Sequence, residues 1–306
     1  MEFSQKTKVV SAYLLCTLVW STTWFAIRVT IGPGGFPTYE AAALRFSIAV
    51  VVLALFTPRA MFNLKQRLDG QLKWLCLAGL INSVSYGLLY KGEESVTGSV
   101  AAVLFGSLPL VAAVFAAVTR TERISLGQVG GALVALAGIT MLFWERLSVS
   151  RRQAAGVALV LVAVFVNASY LLLFRSKIRG RHSMAATAIF LGATGTGLWC
   201  IALARGWQPL PWPPPAKPAL ALLYLGVFGS VVTFACYLYL LRHVSVVTVS
   251  TIIIAESGIA LAVDRAWERD FNLGPLAYLG AAVTLAGFLA SILLRPAGLR
   301  GDPPPS

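Results

Sequence analysis

Charge is scarce in this chain. Of its 306 residues only 12% are Asp, Glu, Lys or Arg, about half the share of an ordinary globular protein, and that leaves too little polar material to coat a water-facing surface. Histidine occurs twice and cysteine four times. Cys16, Cys76, Cys200 and Cys236 lie apart in apolar runs without C-x-x-C spacing, so neither a thiolate metal site nor a disulfide framework is indicated, and they read as packing residues. The chain also lacks an H-E-x-x-H pair, a phosphate-binding glycine loop leading from a strand, and a Ser/His/Asp set within one bundle layer. These absences speak against an enzyme and against a bound metal or cofactor. What the chain has is apolar surface: 58% of it is hydrophobic and its mean hydropathy is +0.77. An all-α polytopic membrane protein is therefore expected.

A helix needs about 20 apolar residues to cross roughly 30 Å of hydrocarbon. Ten runs qualify: 9–27, 37–57, 74–90, 95–119, 124–144, 153–174, 183–204, 219–241, 244–263 and 271–294. Two of them hold an internal charge, Arg45 and Glu256. The first run is flanked by Lys6 and Lys8 like a secretory leader, but Trp20, Trp24 and Arg28 stand where a small-residue cleavage site belongs, so it reads as the first helix. With the N-terminus inside, the inner connections collect fifteen of the 25 basic residues and the outer ones nine, so both termini are expected in the cytoplasm. The loop with Arg146, Arg151 and Arg152 runs against that count. The net charge of +13 is thus mostly a property of one membrane face, and no nucleic-acid partner is implied. Six prolines between Arg205 and Pro218 favour a stiff outer loop over the helix ends, and 297–306 reads as a disordered cytoplasmic tail.

The chain repeats itself. QVGGALVALAG from Gln128 matches AYLGAAVTLAG from Ala277 at six of eleven positions, at an offset of 149. Each half, 1–148 and 149–296, holds five runs. An odd number of crossings turns the second half over, so two inverted five-helix repeats are expected, related by a pseudo-twofold axis in the membrane plane.

WSTTWFAIR from Trp20, YEAAALRFSIAV from Tyr39, SLPLVAAVFAAVTRTERISLGQVGGALVALAG from Ser107 and LRHVSVVTVSTIIIAES from Leu241 carry a resemblance over almost the whole chain. The sequence resembles the drug/metabolite transporter superfamily, and within it the ten-helix EamA-type exporters. The resemblance implies a multi-pass secondary carrier of the bacterial inner membrane, with a cavity lined by helices 1, 3, 4, 6, 8 and 9 and amino acids, nucleosides, sugars or xenobiotics as solutes. Two positions depart from it: Ser257 follows Glu256 where the second repeat usually has proline, and the loop acid is Asp270 in place of glutamate. On this reading the protein moves small polar or amphipathic metabolites, amino acids first among them, by alternating access and in the export direction. A channel, or a nucleoside or drug carrier, is the alternative. Its partners are the solute and lipid, with protons as a candidate coupling ion. A monomer is expected, with a dimer left open by the weak G-x-x-x-G at Gly127 and Gly131.

Polar residues inside the spans mark the candidate site. Trp20 and Trp24 are four apart, on one face of the first helix, where they can form an apolar wall with Thr23 beside it. Asn82, Tyr86 and Tyr90 make a stripe along the third, suited either to a wet cavity or to interhelical hydrogen bonds. Asn167 and Tyr170 in the sixth and Tyr237 in the eighth complete a set suited to a small amphipathic solute. Glu256 and Arg45 reach similar depths. If they pair, Glu256 is structural; if it stands alone, it is a proton-coupling site, and direct contact with the solute is the remaining role. Pro109 is expected to kink the fourth helix, while its counterpart is Ser257.

Overall fold

Hydrocarbon offers no partner to a backbone amide, so each apolar run must satisfy its own N–H and C=O groups within a helix. The computed structural model of the chain describes residues 2–56, 71–108, 110–111, 114–115, 126–144, 151–177, 184–243, 246–267 and 274–294. All regular structure among them is helical. The helices are α1 (Glu2–Ile31), α2 (Thr38–Phe56), α3 (Leu72–Glu93), α4 (Gly98–Phe105), α5 (Leu126–Trp144), α6 (Arg151–Lys177), α7 (Met184–Ala204), α8 (Ala216–Gly226), α9 (Thr233–His243), α10 (Val246–Trp267) and α11 (Pro275–Leu293). Between α8 and α9 the helix continues without a break through a π-helical segment, Val227–Val232. The kink expected at Pro109 and the tail 297–306 lie outside the described residues.

Six stretches among the described residues are long and apolar enough to cross a membrane: Gln5–Ile31, Thr38–Phe56, Leu72–Glu93, Arg151–Tyr170, Ala186–Ala204 and Ala216–Tyr237. Large apolar side chains such as Leu55, Phe56, Leu126, Leu133 and Leu220 stand exposed on the outside of the bundle, an arrangement that lipid accommodates and water would penalise.

Local chemistry sets the helix ends. Thr97 takes an extended conformation and its hydroxyl accepts from the Val100 amide, which starts α4 three residues later than the apolar run begins. Pro275, with φ preset and no amide to leave unpaired, opens α11. The proline-rich connection stays non-helical to Pro215, but α8 begins at Ala216 with Pro218 tolerated in its first turn. This connection is docked on α2, because the Gln208 amide donates to Glu40 Oε1 at 2.8 Å.

Ile31, Thr38, Glu93 and Gly98 mark one end of the bundle, the distal face. α1 and α3 run toward it. α6 departs from it, with Gly156 close against Gly92 and Ser95, and α8 departs from it beyond the Gln208 contact. α5 packs on α11, α3 on α6 and α7, α2 on α7 and α8, α4 on α6 and α10, and α1 on α8, α9 and α10. Exchanging the five runs of one half with those of the other maps these pairings onto one another.

Candidate solute cavity

Aromatic side chains from six helices converge at mid-height. Trp20 of α1 meets Tyr237 (5.4 Å between ring centres) and Phe234 (6.2 Å) of α9. Phe234 meets Phe190 of α7 at 6.3 Å, and Phe190 meets Tyr170 of α6 at 5.5 Å. On the other side Phe46 of α2 stands edge-on to Tyr86 of α3 at 4.8 Å, and Tyr86 leads to Tyr90 at 6.5 Å. Tyr170 lies within electrostatic reach of both Tyr86 and Tyr237, which closes the circuit. Trp20, Tyr86, Tyr170, Phe234 and Tyr237 are only half-buried, so their mutual contacts leave part of each ring uncovered, and the uncovered faces border a candidate space between the helices. Such a wall, apolar in area with phenolic hydroxyls at a few points, suits an amphipathic solute.

The expected site residues divide. Trp20, Tyr86, Tyr170 and Tyr237 meet at this space. Asn167 borders it beside Tyr170 and also donates to Ser85 Oγ of α3 at 3.5 Å. Tyr90 is fully buried behind Tyr86. Asn82 points into the α3–α7 interface, where its amide donates to Thr194 Oγ1 at 3.2 Å, so it serves as an interhelical tie. Replacing Asn82 with leucine is expected to leave solute affinity within about twofold while lowering stability by about 1 kcal/mol; thermal unfolding in detergent and binding assays on the same sample check both halves. Trp24 does not share a wall with Trp20. It packs on Phe105 of α4 at 5.3 Å between ring centres, because α1 is crossed by α9 at the height of Trp20 and by α4 one turn further on. The Thr23 hydroxyl returns to Trp20 O of its own helix at 2.7 Å.

Arg45 is held by elements the sequence did not single out. Its Nε donates to Ser230 Oγ at 3.1 Å and its Nη2 to the Gly229 carbonyl at 3.2 Å, both in the π-helical segment. The guanidinium lies over the Tyr86 ring (5.2 Å) and the Phe46 ring (5.6 Å), with the Tyr90 hydroxyl beside it but out of good hydrogen-bond geometry. Widening a helix to π geometry offsets its carbonyls from their usual donors, and Gly229 O uses that freedom to take both Arg45 and the Thr233 hydroxyl. The missed signal was the arginine itself: a buried guanidinium must find acceptors. Glu256 is buried on α10 with Oε2 lacking a hydrogen-bond partner, in electrostatic reach of Cys16 and Tyr237. The Arg45–Glu256 ion pair that their depths allow is not formed; the ion pair recorded among the described residues joins Lys91 to Glu94 at 2.7 Å.

At the distal face a second charged pair holds the α3–α4 turn. Arg28 Nη1 donates to the carbonyls of Glu93 (2.8 Å), the last residue of α3, and of Val96 (2.7 Å) in the turn that follows. Asp264 Oδ2 accepts from the Ser99 amide (2.7 Å) in the first turn of α4. A cation at a helix C-terminus and an anion at a helix N-terminus both complement the helix dipole, so α1 and α10 grip one turn from two sides.

The EamA-like transporter family matches the chain twice, at residues 7–144 and 154–293. Among curated proteins, the probable terminal-alkyne amino-acid exporter of Streptantibioticus cattleyicolor is 24% identical over 293 residues, 92% of each chain. The uncharacterized inner membrane transporter YedA of Escherichia coli is 29% identical over 247 residues, 80% of this chain and 78% of that one. Protein PagO of Salmonella typhimurium is 24% identical over 268 residues, 85% of each. One solved crystal structure superposes with a TM-score of 0.63 over 94% of this chain and 97% of the other, at 19% identity, a likeness of fold.

Proposed function

We propose that this chain, which belongs to the EamA-like transporter family and is a multi-pass membrane transporter, carries small amphipathic metabolites, amino acids first among them, through the aromatic-walled space by alternating access. The carrying observation is that space itself: half-buried Trp20, Tyr86, Tyr170 and Tyr237, brought by four helices to one point in the middle of the bundle. Ten spans in two inverted halves, 1–148 and 149–296, with both termini in the cytoplasm of a bacterial inner membrane, complete the reading. The opposite chain directions of α1 and α6, and pairings that exchange between the halves, support it. The name of the Streptantibioticus relative supports an amino-acid solute and outward transport. The protein acts as a monomer, with protons as coupling ion through Glu256.

Counterflow in proteoliposomes tests the reading. Labelled amino acid outside should enter faster when unlabelled amino acid is trapped inside, and flux should saturate. Ohmic single-channel steps without counterflow make the protein a channel instead.

In this reading the Arg28 and Asp264 grip closes the outer end, and it has to part for outward opening. Asp264→Asn is expected to increase labelling of a cysteine placed at Tyr86, in a background lacking the four native cysteines, by an impermeant maleimide from outside, several-fold for a loss of about 1 kcal/mol of closed-state preference. Equal labelling with and without the substitution removes the grip from the gating account.

A further inference from the structure

We propose that Arg45, presented by the π-helical segment, is the docking point for a carboxylate on the transported solute. This deepens the carrier reading and rests on it for the solute's presence at this wall. Arg45 is almost completely buried, at 2% exposure, and its recorded hydrogen-bond acceptors, Ser230 Oγ and Gly229 O, are neutral. Neutral acceptors orient a guanidinium without cancelling its charge. Glu93 is the carboxylate in electrostatic reach, and no ion pair joins it to Arg45. A cation kept at this depth without an ion-paired anion is costly, and a bound anion relieves that cost.

The geometry favours one chemistry. Ser230 in turn donates to Leu225 O at 3.1 Å, so the acceptor that holds Nε is itself fixed. Tyr86 lies under the guanidinium and is itself only half-buried among the aromatic rings, which places the cation directly behind the wall that a solute would reach. Arginine has five N–H donors in a planar fork. With Nε and one Nη2 hydrogen engaged and only the neutral Tyr90 hydroxyl beside the guanidinium, out of good hydrogen-bond geometry, Nη1 is the edge of the fork left to meet a carboxylate. The charge of Glu256 lies elsewhere, toward Cys16 and Tyr237, so the two ionisable groups have separate tasks.

The test uses purified full-length protein and leucine, phenylalanine, tryptophan and threonine, each paired with its amide, which differs in lacking the carboxylate. Binding is read by ligand-induced thermal shift and tryptophan fluorescence, transport by counterflow. At least one acid should bind wild type about tenfold or more tightly than its amide. Arg45→Lys, which keeps the charge but loses the fork, should erase that preference, and Ser230→Ala should reduce it in part. An arginine that only ties α2 to the π-helical segment would change stability and leave the acid-to-amide ratio untouched. Should Arg45→Lys fail to fold by size exclusion, Ser230→Ala decides. Equal affinity for acid and amide, retention of the preference in the folded variant, or no binding by any pair overturns the proposal. Acid preference accompanied by ohmic conductance sinks the carrier reading and leaves Arg45 in place; counterflow without acid preference does the reverse.

Discussion

Gly138→Leu is expected to lower the unfolding temperature sharply, because it forces apart α5 and α11, two helices packed backbone against backbone. A Cβ at position 138 would meet the backbone amide and hydroxyl of Thr284 and the carbonyl of Gly280 at 2.6 Å. On the facing helix, a Cβ at Gly287 would meet the Ala135 amide and the Gly131 carbonyl at 2.7 Å, and at the start of α5 a Cβ at Gly127 would meet Leu294. These obstacles are mostly backbone, which cannot rotate out of the way as a side-chain tip can. Gly131, Ala135 and Gly138 make the buried stripe of α5, and Ala277, Ala281 and Thr284 that of α11, while Leu133, Leu136 and Leu279 face outward. Between lipid-exposed helices there is no hydrophobic drive to bring such surfaces together, so close backbone approach supplies the attraction. Overpacking at this contact should cost about 3 kcal/mol or more. Gly130 provides the control, since a Cβ there meets nothing within 4 Å. Thermal unfolding of both leucine variants in detergent checks the claim, and equal midpoints would refute it.

Glu256→Gln should uncouple transport from protons. The carboxyl is buried on α10 with Oε2 lacking a partner and no cation in ion-pair distance among the described residues. An ionised carboxylate in that position is costly, and on the proposed carrier reading the group would take up and release a proton as the site opens to either side. Glutamine has the shape of the protonated acid and no charge to lose. Folded yield should therefore hold or rise. A tenfold proton gradient, about 1.4 kcal/mol per proton, should drive labelled solute in wild-type liposomes up to roughly tenfold and in the variant not at all, whereas exchange at equal pH should persist in both. Gradient-driven accumulation that survives the substitution would take Glu256 out of the coupling mechanism.

The helices were legible because their cause is local: a run of apolar residues in hydrocarbon has no option but to bond its own backbone. Every apolar run of the sequence carries helix among the described residues. The aromatic site was legible in composition but not in grouping. Trp20 and Trp24 share a face by helical spacing, yet different helices cross α1 at their two heights, so one ring joins the cavity and the other Phe105. Asn82, Tyr86 and Tyr90 form one stripe by spacing, yet α7 stands close enough to claim Asn82 through Thr194.

From the amino acids alone came the membrane, the helical class, the repeat and the list of polar side chains that hydrocarbon must either pair or expose to a cavity. Which of them pair was decided in three dimensions. Arg45 finds its acceptors 184 and 185 residues away, one of them a backbone carbonyl in a π-helical segment that no side-chain pattern announces. Asp264 finds the start of α4 across 165 residues. Helix formation depends on neighbours within a turn, whereas burying a charge depends on whichever distant groups the packed bundle delivers, and that delivery is a property of tertiary structure.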